Sequence, residues 1–140
     1  VFMLIFFAGV SPLFLNKKLF RKRLNMIKIA FFAFKEEPMC FIHVLLNALY
    51  ASEKGLKAKI ILEGTATKLI PELFSEKSMF YNFFQKALEK GLVAGVCKAC
   101  AQKMETSEVA KEKGLTILED MYGHAGMANF IKQGYTIITL

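Results

Sequence analysis

The chain has 140 residues, 54% hydrophobic and 22% charged, with a formal net charge of +7. That length suits one domain with a filled core, and the composition excludes a disordered tail or a low-complexity linker. Three cysteines are too few for a full disulfide framework, and no apolar run reaches the roughly 18 residues of a membrane-crossing helix.

The positive charge is local. Lys17, Lys18, Arg21, Lys22 and Arg23 stand with no acid in the first 25 positions. The remainder carries 14 basic residues against 12 acids. The body is therefore nearly neutral, and a basic face for nucleic acid is not supported.

The opening stretch, VFMLIFFAGVSPLFL, precedes its basic residues, whereas a secretory signal places them first. Fifteen residues at 1.5 Å each reach about 22 Å of a roughly 30 Å hydrocarbon core, and Pro12 shortens the helical part. Residues 1–25 are read as a leader outside the working fold, with a weak membrane or partner-binding arm as the alternative. The domain is expected over 26–140, in the cytoplasm, with no stable membrane anchoring.

From Met26 the pattern alternates strand and helix. Ile27 to Phe34 is an apolar run broken only by Lys28, as in a central parallel strand covered on both faces. Pro38 suits a first helical turn, and Met39 to Lys54 reads as a helix stopped by Gly55. Lys57 to Glu63 is a second strand. Thr65 or Thr67 can cap a short helix that Pro71 disturbs. Ser78 caps Met79 to Lys90, where Phe80, Phe83, Phe84, Ala87 and Leu88 recur at helical spacing and Met79 and Tyr81 are left for another surface. Leu92 to Cys97 is a third strand. Lys98 to Lys113 is helical, broken near Thr106-Ser107. Leu115 to Asp120 is a fourth strand, and a Gly-rich turn over 122–126 leads to a helix ending at Gly134. Tyr135 to Leu140 is a fifth. Five strands with helical crossovers predict a three-layer α/β/α sandwich with a mainly parallel sheet, flavodoxin-like, its strand order left open.

Ligands of such sheets bind beyond the carboxyl ends of the strands. All three cysteines and both histidines fall there. Cys97-x-x-Cys100 is the sharpest signal: at a strand-to-helix junction the helix dipole and Lys98 are expected to lower a thiol's pKa, as a nucleophilic or redox cysteine needs. The pair suits persulfide carriage, dithiol redox work or metal binding, and two small buried residues would also fit it. Cys40-x-x-His43 lies on one face of a helix start. With Cys97 and Cys100 it would complete a Cys₃His zinc set, if the fold brings the halves together. His124, flanked by Gly123 and Gly126, stands in a loop able to approach a ligand closely or to cap a helix. No GxGxxG follows the first strand and no GxxxxGK[ST] occurs. The first loop carries Glu36-Glu37, which would repel a phosphate and so argues against nucleotides and flavin mononucleotide.

MIKIAFFAFKEEPMCFIHVLLNAL, VAGVCKACAQKM and GHAGMANFIKQGYTIITL together resemble the DsrE/DsrF-like family, and the resemblance spans Met26 to Leu140. It implies a flavodoxin-like sandwich, commonly a homo-oligomer (trimer or hexamer), with Cys97 at the position of the sulfur-carrying cysteine. The expected function is then sulfur handling, as a persulfide carrier or sulfurtransferase-like protein with protein sulfur donors and acceptors and no cofactor. Cys97 would load the sulfur, Cys100 would resolve or modulate it, and Lys98 and His124 would help hold the thiolate. The alternative is a non-enzymatic metal- or small-ligand-binding module, with zinc on Cys40, His43, Cys97 and Cys100. Inert buried cysteines in a structural oligomer are the third reading.

Overall fold

Each strand of the sheet carries β-branched or aromatic apolar residues, and each of the first four is followed within two residues by a charged one. The computed structural model describes residues 27–140 and, ahead of them, Lys17 and Leu19. The expectation for residues 1–25 otherwise lies outside the described residues. Strand β1 runs Lys28–Ala33, helix α1 Pro38–Glu53 and strand β2 Lys57–Leu62. A 3₁₀ segment, Gly64–Leu69, then leads into the short α2, Ile70–Leu73, and α3, Tyr81–Glu89. Strand β3 is Val93–Cys97, followed by α4 (Lys98–Lys103) and α5 (Ser107–Glu112). Strand β4 is Ile117–Leu118, α6 is Met127–Lys132 and β5 is Tyr135–Thr139.

The five strands form one sheet in the order β4-β3-β2-β1-β5, every neighbouring pair parallel. The layering is the flavodoxin-like α/β/α sandwich, although flavodoxin itself orders its strands 2-1-3-4-5. Parallel crossovers are right-handed, so direction of travel decides the face on which a helix lands. From β1 to β4 every step goes the same way, and α1 to α5 pack on one face. The step from β4 to β5 goes back across the sheet, and α6 lands on the other.

The two faces are unequal. Phe31, Ile60, Leu62 and Val96 join Phe41, Leu45, Ile70, Phe80 and Phe84 in the larger core. Ala30, Phe32, Ile61, Cys97 and Ala125 make the smaller one, with Met127 and Phe130 of α6 against them. Phe130 meets Phe32 edge-on, ring centroids 5.6 Å apart, a favoured aromatic geometry.

Several local expectations shift. Glu37 is the N-cap of α1: its Oε2 accepts the Cys40 N–H at 2.6 Å. Glu36 pairs with Lys68 at 3.0 Å. The acidic first loop is thus occupied with capping and an ion pair. Pro71 falls within the first two positions of α2, where a missing N–H is harmless. Ser78 lies ahead of α3 and accepts the Phe80 N–H at 3.1 Å. Phe80 and Phe84 are fully buried, but Phe83 is 38% exposed. It lines a groove of about 410 Å³ with His43, Leu46, Asn47 and Tyr50. Thr106 takes the N-cap position of α5, yet its buried Oγ1 finds no partner, so the break there is not held by a side-chain cap. The fourth strand shrinks to two residues at the sheet edge. No helix of the described residues is long and apolar enough to cross a membrane.

Candidate functional site

The site begins with an irregularity in β3. Ile60 and Ile61 of β2 are consecutive, but their partners are Val93 and Gly95, so Ala94 is an extra residue in the strand. Such a bulge reverses the alternation of faces beyond it. Val93 and Val96 both face the larger core, and Cys97 turns to the smaller one. In an unbulged strand of the same sequence, Cys97 would share the face of Val93. Gly95, at φ +157°, is what allows β4 to close against the bulge. A Cβ there would lie 2.6 Å from the Thr116 carbonyl oxygen and 2.8 Å from Leu118 Cγ.

Strand order then selects what surrounds Cys97. The neighbours of β3 are β2 and β4, about 4.8 Å away on either side. Beyond β2 comes Glu63. Beyond β4 comes the loop that carries His124. Gly64 follows Glu63 at φ +49°, where a Cβ would meet the Phe34 carbonyl oxygen at 2.7 Å, so only glycine admits this tight turn. The His124 loop is closed by reciprocal backbone bonds between Met121 and His124, each 2.9 Å. It is tied to α4 by the Ala99 N–H donating to the Gly123 carbonyl at 2.9 Å. Asp120 clamps its far end, accepting from Gly126 N at 3.1 Å and Asn129 Nδ2 at 2.7 Å.

Four side chains converge as a result. Cys97 Sγ is 3.4 Å from His124 Nδ1. Cys100 Sγ is 3.8 Å from the same nitrogen and donates to Glu63 Oε2 at 3.3 Å. One ligating atom from each of Glu63, Cys97, Cys100 and His124 lies within 4.8 Å of the others. Cys97 is fully buried and Glu63 is 4% exposed, whereas Cys100 is half-buried and His124 exposed. The cluster is thus reached from the His124 and Cys100 side.

At Cys100 the electrostatics depart from the helix-dipole expectation. The Cys100 thiol is pushed up to about 12. Burial is the leading cause, followed by hydrogen bonds to Cys97 and Glu63, and a bond from the Gly64 backbone opposes them. The helix behind it has only six residues. At Cys100, desolvation and an adjacent carboxylate outweigh its dipole.

The remaining sequence candidates lie apart from this cluster. Lys98 Nζ pairs with Glu119 rather than with a thiol. Cys40 sits over Glu37, whose hydrogen bond raises its thiol pKa. His43 faces the α1–α3 groove. Both follow β1, which is two strands from β3, so the Cys₃His set is not assembled. Glu63 replaces it. The signal for Glu63 was a carboxylate directly after the buried end, IIL, of the second strand, a place where a charge must find a partner or a function.

No family model matches the chain, and no solved structure matches it. Over 124 residues, 84% of this chain and 99% of the relative, it is 35% identical to an uncharacterized protein of Methanocaldococcus jannaschii, MJ0733. A second uncharacterized protein, from Archaeoglobus fulgidus, is 40% identical over 52 residues, which are 37% of this chain and 84% of that relative.

Proposed function

The chain belongs to the family of the Methanocaldococcus jannaschii protein, and we propose that it handles sulfur, carrying a sulfane sulfur on the Cys97–Cys100 dithiol. The observation that supports this reading is the meeting of both thiols of the CxxC pair with His124 and Glu63 at the carboxyl edge of the sheet. The resemblance to DsrE/DsrF-like proteins points the same way. Burial assigns the order of use. Cys97, the position implied by that resemblance, is fully buried, so a donor meets Cys100 first.

The donor is a persulfide, R–S–SH. Glu63 Oε2 takes the Cys100 thiol proton, and Cys100 Sγ bonds to the donor's outer sulfur as the donor's S–S bond breaks. The donor leaves as RS⁻ and recovers the proton, giving Cys100–S–SH and RSH with no net oxidation. Attack by Cys97 on the outer sulfur then moves it inward as Cys97–S–SH and restores the Cys100 thiol. His124 Nδ1 is within reach of both sulfurs and holds whichever carries charge. Unloading to an acceptor thiol runs the same exchange in reverse. Partners in this reading are a protein donor, a protein acceptor and further copies of the chain, the last to be measured by light scattering.

Trypsin separates the two thiols, because Lys98 lies between them: Cys97 falls in peptide 91–98 and Cys100 in peptide 99–103. Reduced, chelator-treated protein mixed with a low-molecular-weight persulfide is expected to gain sulfur on these peptides and not on the Cys40 peptide. Cys100→Ser is expected to abolish loading. Loading confined to Cys40, or none while Cys100 remains open to alkylation, overturns the reading.

A further inference from the structure

We propose that Cys97, Cys100, His124 and Glu63 also form a tetrahedral zinc site. The claim goes beyond sulfur carriage and does not depend on it, although it uses the same two sulfurs.

Geometry is the first ground. Zinc takes thiolate sulfur at about 2.3 Å and imidazole or carboxylate donors at about 2.0–2.1 Å. In a tetrahedron those lengths place sulfur about 3.5–3.6 Å from nitrogen or oxygen, and two sulfurs about 3.8 Å apart. In the structure the sulfur-to-nitrogen distances are 3.4 and 3.8 Å, and the sulfur-to-oxygen distance is 3.3 Å. Three edges of the tetrahedron are therefore already close to their bound lengths. All four donors fall within 4.8 Å of one another, a span that side-chain adjustment can close.

The second ground is an unbalanced acid. Glu63 is 4% exposed. Among the described residues it makes no ion pair within 4.0 Å, and its carboxylate is met by a thiol. Lys98, the basic residue between the two cysteines, is engaged by Glu119. A buried carboxylate without a cationic partner is costly, and a divalent ion at the centre of the cluster would remove that cost. Two sulfurs, one imidazole and one carboxylate are a borderline-soft set that suits zinc better than magnesium or calcium. Binding releases the two thiol protons and leaves both cysteines as thiolates. With four protein donors no coordination position remains for water, which marks a closed site. A persulfide donor then finds no free sulfur while the metal is bound.

The test is a zinc titration of the chelator-stripped full chain, without any sulfur donor, followed by substitution with Co²⁺. One zinc per chain is expected, with the absorption of tetrahedral thiolate-bound cobalt. Cys97→Ser and Cys100→Ser should each weaken binding by roughly tenfold or more. His124→Ala, a change on an exposed loop that leaves the core intact, should do the same with an unchanged circular dichroism spectrum. Cys40→Ser and His43→Ala should bind as the parent does. Absence of stoichiometric zinc in the parent protein, or affinity unaltered by His124→Ala in folded protein, overturns the proposal. Sulfur loading is measured on metal-free protein, so either result stands whatever the other shows.

Discussion

Cys100 Sγ lies 3.3 Å from Oε2 of the buried Glu63 and donates its proton to that carboxylate. The pairing stores a proton where a reactive thiolate would be expected. Burial first, then Cys97 and Glu63, push the thiol to about 12. In metal-free protein the alkylation rate of peptide 99–103 should therefore climb about tenfold per pH unit well beyond the ordinary thiol range. Glu63→Gln weakens the acceptor that holds the thiol proton, so at pH 8 the variant should be alkylated faster than the parent. A rate equal to the parent's would mean that Glu63 does not govern this thiol, and a slower one that it acts there as a base and does not hold the proton back.

Glu37 gives a prediction at the acid end. Backbone N–H groups of Cys40 and Met39 hold its carboxyl below the usual range. In the folded chain it therefore stays ionised at pH values where the unfolded chain has taken up a proton. Its contribution to stability is complete above the unfolded value and is lost as pH falls through the folded one. Glu37→Gln should lower the urea midpoint at pH 7 and flatten its decline below about pH 4.5. Parallel midpoint curves for the two proteins would remove the cap from this role.

The alternation of strand and helix was legible because the apolar runs are short and the first four strands are each followed by a charged residue. The CxxC at a strand end was legible for the same reason. Its partners were not. Which loops meet at Cys97 depends on strand order, and no periodicity encodes that β2 and β4, rather than β1, flank β3. Cys40 and His43 have suitable chemistry on the wrong strand. Glu63 and His124 have it on the right ones. The face of Cys97 was equally hidden, since the strand LVAGVC gives no sign that Ala94 is an added residue until its pairing is seen. The unequal covering of the sheet follows from the return step to β5, which again is topology.

Gly95 tests whether the bulge builds the site. A methyl group at that position would press on the Thr116 carbonyl and the Leu118 side chain at 2.6 and 2.8 Å, on a backbone at φ +157°. Gly95→Ala should destabilise the fold by about 1–3 kcal/mol, measured by urea unfolding, because neither the strand nor the packed leucine can withdraw freely. At temperatures where the variant remains folded, sulfur loading and zinc affinity should both fall, since β4 carries the His124 loop. Unchanged stability would show that β3 and β4 need no such close approach.

Zinc and sulfane sulfur compete for the same atoms, and the competition has a direction. Cys100 is half-buried and reachable from solvent. In the metal-bound form its sulfur is a ligand, withdrawn from electrophiles by coordination. One equivalent of zinc should therefore suppress both alkylation and persulfidation of peptide 99–103, and a chelator should restore them. Cys40 lies outside the cluster and provides the internal control: its labelling should be the same with and without zinc. The midpoint of thermal unfolding should rise with zinc concentration, because a ligand that binds the folded form adds RT ln(1 + [L]/Kd), about 2.7 kcal/mol at one hundred times Kd. His124→Ala should lose this rise and the protection of Cys100 together, leaving Cys40 unaffected. If zinc protects Cys40 as strongly as Cys100, the metal is binding thiols indiscriminately and the four-residue site is refuted.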